Sequence, residues 1–79
     1  MSEATTHTQL GLLIEIVERV AKEKHDGHFT VLRFASGWKA VYGTVDLGRQ
    51  GVRERVQQVP ESPTLNEALL LLLVKDYKP

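Results

Sequence analysis

The chain contains no cysteine. A disulfide framework, a thiolate metal site and a cysteine nucleophile are therefore all excluded. It is also short. With 79 residues it forms one domain at most and buries a modest core. Its stability must come from apolar packing, with a second copy as one source. No charge sign is in excess, since ten Lys and Arg balance ten Asp and Glu. Binding to nucleic acid by bulk charge, which wants a basic surplus, is disfavoured. Near-zero net charge also removes the repulsion that keeps small proteins apart. No long hydrophobic run is present. The longest, Ala68 to Val74, falls far short of the roughly 20 residues that span a bilayer. The start of the chain lacks the basic residues and apolar stretch of a secretory signal. These absences place the expected localisation in the cytoplasm.

What is present begins with a short polar stretch, residues 1–8, which reads as a disordered tail ahead of a single domain over 9–79. Leu10, Leu13, Ile14, Val17, Val20 and Ala21 recur at three- and four-residue spacing. They predict a helix from Leu10 to Lys24, with Thr8 as its N-cap and Gly27 closing it in the left-handed conformation. Phe29 to Ala35 and Trp38 to Val45 are rich in Val, Thr and aromatics and predict two strands. Only Ser36-Gly37 separates them, which predicts a two-residue hairpin with Gly37 at a positive φ. In that register Ala35 opposes Trp38, Arg33 opposes Ala40, Val31 opposes Tyr42 and Phe29 opposes Thr44.

After a loop over 46–51, Val52, Val56 and Val59 sit at helical spacing. A short helix over 52–57 is expected, with a third strand as the competing reading. Thr64-Leu65-Asn66-Glu67 is a capping box that starts a helix over 64–77. The expected fold is thus α+β. An antiparallel hairpin, of two strands or three, packs against two helices in the order α-β-β-(short α or β)-α. This order resembles the layout of double-stranded-RNA-binding domains. That family has a basic run at the start of its last helix, where this chain has Thr64-Leu65-Asn66-Glu67. The segment Pro63 to Leu69 is similar to the helix start of HicB-like antitoxins over a handful of residues. No family is assigned on either.

Two features offer more apolar surface than a chain of this size can hide. Ala68 to Val74 is apolar on every side for nearly two turns, where a surface helix needs only a stripe about 100° wide. Either the helix is central, or one side of it is an interface carried by Leu70, Leu71 and Val74. Both faces of the hairpin are apolar as well. Leu32, Phe34, Val41 and Val45 are assigned to the core, which leaves Phe29, Val31, Arg33, Trp38 and Tyr42 as an open face. Aromatics beside an arginine make a protein hot spot or a base-stacking platform.

Other clusters read as structural. His25, Asp26 and His28 surround a glycine and fit a solvated turn better than a metal site. Arg49, Arg53 and Arg55 fit a solvated face. No serine has a histidine and a carboxylate at a recognisable spacing, and no phosphate loop follows Gly43 or Gly48. No catalytic, cofactor or metal residue is assigned, no small-molecule substrate is expected, and an enzyme is not. The expected function is a non-catalytic protein-interaction or regulatory accessory module. It would form a homodimer or bind another protein through the C-terminal helix, the aromatic hairpin face, or both. Its composition is of a kind common in small accessory proteins of bacteria and phages. The alternative is a small nucleic-acid-binding regulator using Arg33, Trp38, Lys39 and Tyr42.

Overall fold

The computed structural model describes the backbone of residues 3–79 and the side chains of residues 8–79. Its elements are α1 (Glu3–Lys24), β1 (Phe29–Phe34), β2 (Gly37–Tyr42), α2 (Val52–Gln58) and α3 (Leu65–Lys75). The α+β class and the hairpin are as the sequence predicts. The first helix starts earlier, at Glu3 rather than Leu10. Once a helix is nucleated, adding a turn costs little, and the apolar stripe beginning at Leu10 supplies the nucleus. Residues 1 and 2 of the expected tail lie outside the described residues.

α1 ends as expected. The amides of His25 and Gly27 both bond the Ala21 carbonyl, at 3.0 Å each, and Gly27 sits at φ 91°. This satisfies a carbonyl that the helix end would otherwise leave bare. α3 starts at its capping box, where Thr64 Oγ1 accepts the Glu67 amide at 3.2 Å. It stops at Lys75 instead of Tyr77, because Asp76 takes a left-handed φ of 55°.

The hairpin turn lies one residue earlier than expected. Ala35 and Ser36 form the loop, and Phe34 pairs with Gly37, Arg33 with Trp38, Val31 with Ala40 and Phe29 with Tyr42. The shift spans two positions along the partner strand, so the same residues still share each face. Gly37 does not have a left-handed φ. It is glycine for a different reason: a Cβ there would stand 2.6 Å from the Ser62 carbonyl oxygen. Ser62 pairs with Trp38 through two backbone bonds of 2.8 Å as an isolated bridge, while residues 52–58 form a helix and not a third strand. Ser36 Oγ donates to the Glu61 carboxylate and ties the turn to the same segment.

The assignment of faces is reversed. Tyr42, Ala40, Val17, Ala21, Ala68, Leu69 and Leu72 form the buried core, with Phe29, Val31 and Trp38 packed against them. The predicted open face is therefore the one that α1 and α3 cover. The reason is area: Phe29, Trp38 and Tyr42 have the most apolar surface to remove from water, and two helices cover more than one. Ala21, Ala40 and Ala68 let the helices approach the sheet closely.

The opposite face, with Val41, Leu32 and Phe34, is covered by a thinner layer. Val52, Val56 and Val59 of the α2 segment are buried, and Val41 is fully so. Leu32 and Val45 are half-buried, and Phe34 reaches solvent. Lys39 fastens this layer. It is only 8% exposed, and its Nζ donates to the carbonyls of Val56 (2.8 Å) and Gln57 (3.4 Å) at the α2 C-terminus. A cation is well placed there, since the helix end carries partial negative charge. Lys39→Met keeps the stem but leaves those carbonyls without their donor. It should cost about 1–3 kcal/mol, readable as a lower urea midpoint with unchanged slope. An unchanged midpoint would show that the ammonium contributes nothing.

Candidate interaction surface

The eight residues predicted to meet a partner divide into two groups. Phe29, Val31, Trp38 and Tyr42 belong to the core or pack against it. Arg33 stays exposed, with its guanidinium 4.7 Å from the Trp38 ring centroid, so it shields that indole. The four residues of the nucleic-acid alternative likewise form no open platform: Tyr42 is buried, and the Lys39 ammonium is engaged with α2.

The second group fares differently. Leu70 and Val74 are 50% and 74% exposed, and Leu71 is half-buried. α3 thus uses one side of its leucine run, Leu69 and Leu72, for the core and turns the other outward. Sequence reasoning missed the residues that continue this surface on α1. Leu12 and Ile16 are 55% and 42% exposed. They lie one turn apart on a helix whose buried line runs through Val17 and Ala21. The available signal was that Leu12 and Ile16 make the apolar stripe of α1 wider than one contact needs.

The two helices enclose a shallow groove lined by Leu12, Leu13 and Leu70, with Gln9 and Asn66 as its polar members. A second apolar depression, bordered by Leu70, Leu71 and Val74, continues it along α3. The two meet at Leu70, and the second runs along α3 to Glu67 and to Ser62 at the edge of the hairpin. Clustered exposed apolar residues with a polar rim mark interaction surfaces more often than single exposed leucines do.

The polar cluster between α1 and β1 is partly tied up locally, although His25 Nε2 and the Tyr42 hydroxyl are buried without a hydrogen-bond partner. Asp26 Oδ1 accepts the His28 amide at 3.1 Å, which makes the His25–His28 stretch a turn. His25 stacks on Tyr42, with ring centroids 4.0 Å apart, and its Nε2 lies 4.0 Å from Asp76 Oδ1. Burial, with the Asp76 carboxylate adding to it, pushes the Tyr42 phenol above its ordinary value. Among the described residues no group of three or more His, Asp or Glu side chains is arranged to hold a metal ion. No described helix is long and apolar enough to cross a membrane.

These features define a small α+β scaffold with one apolar helical face. Comparison with protein-family models, with curated proteins and with solved structures finds no match to the chain.

Proposed function

We propose that the protein is a non-catalytic protein-interaction module that docks partners on the outer face of the α1–α3 pair. The observation that supports this most is the continuity of exposed Leu12, Leu70 and Val74 across two helices, through two depressions that meet at Leu70. Each is half or more exposed, so the core does not account for its being apolar. The shape suits an amphipathic helix laid along the groove, its apolar stripe against Leu12, Leu13 and Leu70 and its polar flank near Gln9 and Asn66.

A triple substitution, Leu12→Ser, Leu70→Ser and Val74→Ser, tests the reading with an amphipathic Leu/Glu helical peptide as probe. Because these side chains are exposed, the thermal midpoint should move by no more than about 10 °C. Peptide affinity measured by calorimetry should fall about tenfold or more, since two or three apolar anchors are lost. If the native protein does not bind the peptide, or the triple variant binds it equally well, the helix face is not a docking surface.

A further inference from the structure

The two edges of the hairpin are not alike. The Gly43 amide bonds the His28 carbonyl at 2.8 Å, so His28 and Gly43 form a hydrogen-bonded pair. Pairs alternate along an antiparallel ladder. Thr30 with Val41, Leu32 with Lys39 and Phe34 with Gly37 are then the pairs that bond inward. The backbone groups of Phe29, Val31 and Arg33 on β1, and of Trp38, Ala40 and Tyr42 on β2, point outward.

On β2 the chain covers that edge itself. Trp38 exchanges two bonds with Ser62, and the Tyr42 amide bonds the Tyr77 carbonyl at 2.8 Å. On β1, among the described residues, no backbone bond beyond the hairpin reaches Phe29, Val31 or Arg33. Nor does β1 carry the features that blunt an edge. Its sequence FTVLRF has no proline, no lysine and no bulge, and its single charge is Arg33.

We propose that β1 of one copy pairs antiparallel with β1 of a second copy across a two-fold axis at Val31, joining two hairpins into a four-stranded sheet. This goes beyond the helix-face reading and uses a different surface. The occupant is a second copy because the strand complements itself. In this register Val31 meets its counterpart and Phe29 meets Arg33 of the other copy. All three outward-pointing residues then exchange both backbone bonds. On the other sheet face Thr30 meets Leu32. Phe29 borders a groove that Glu18 and Lys22 of α1 line together, so a carboxylate stands there beside an ammonium. The incoming Arg33 therefore arrives beside Phe29 and within the neighbourhood of Glu18, and the symmetry repeats the contact. A net charge of zero leaves no overall repulsion to oppose the pairing. Closed two-fold pairing also uses up the edge in both copies and so ends the assembly at a dimer.

Light scattering after size exclusion tests the proposal on the full chain. The native protein should run at twice its 8.9 kDa mass. Glu18→Arg or Arg33→Glu should each weaken the dimer about tenfold or more by setting like charges together. The double variant Glu18→Arg/Arg33→Glu should recover most of the loss. Arg33→Pro removes an outward amide and takes no bond from the hairpin, so it should give a folded monomer by circular dichroism. The charge swap carries the test if Arg33→Pro fails to fold. A native monomer up to about 1 mM overturns the proposal, as does a double variant as weak as the single ones. So does a dimer that survives Arg33→Pro but dissolves with Leu70→Ser/Val74→Ser, which would place self-association on the helix face.

Discussion

Leu72→Asp should abolish cooperative unfolding, whereas Leu70→Asp should leave a folded protein. The two leucines are two residues apart in one run and chemically identical. Leu72 is fully buried, and Leu70 is half exposed. A carboxylate at position 72 would lose its hydration inside an apolar core with no partner to replace it, or would have to stay protonated there. The cost exceeds about 4 kcal/mol, in the range of the largest single-residue effects. Total stability for a chain of this length is roughly 4–12 kcal/mol, and a small core without disulfide or metal lies at the lower end, where such a loss leaves little or nothing. At position 70 the carboxylate can reach water, and the change should stay within about 1 kcal/mol. Thermal melts of the two variants decide the point. Equal midpoints would mean that α3 does not present the faces described.

A second large effect should come from adding one methyl group. Gly37→Ala places a Cβ where the Ser62 carbonyl oxygen stands 2.6 Å away, and both partners are backbone. The strand cannot yield without parting from Ser62, which takes with it the two bonds to Trp38. Overpacking and the lost bonds together should cost about 2–4 kcal/mol and lower the melting point by about 10 °C or more. Gly11→Ala is the natural contrast. A Cβ at position 11 meets nothing within 4 Å, and the residue lies inside α1. There the same substitution should stabilise the protein by about 0.5–1 kcal/mol, because alanine loses less backbone freedom in a helix. If both variants melt alike, the close approach at Gly37 is absent in solution.

The period of Leu10 to Ala21, the glycine at 27 and the capping box at Thr64 were legible because each is local: a spacing, a φ or one hydrogen bond. The pairing of residues onto hairpin faces was legible too, since alternation survives a shift of two positions. The identity of the core face was not. Both faces carry apolar residues, and which is buried depends on how much of the chain lies over each. The α2 segment settles that, by covering Val41 and engaging Lys39 with its carbonyls. Nothing in the sequence near Lys39 distinguishes it from the solvated lysines on α1.

The exposed apolar helix face was half legible for a related reason. Leu70 and Val74 stood out only as surplus in a run that is apolar all round. Leu12 and Ile16 lie beside the apolar stripe of α1, and Leu12 joins the same surface only because α1 packs beside α3. Gly37 pointed to the hairpin but was misplaced within it, since it was expected in the loop at a positive φ and lies in β2 opposite Phe34. Its role is close approach to another segment, which local turn chemistry does not reveal.

Trp38 is the chain's sole indole. Its backbone is clamped to Ser62, and its ring lies beneath the Arg33 guanidinium. The protein therefore carries a built-in optical reporter at the junction of sheet edge, turn and loop. Its emission should respond separately to three events: unfolding of the core, release of the 46–62 segment, and departure of Arg33 toward a neighbouring copy.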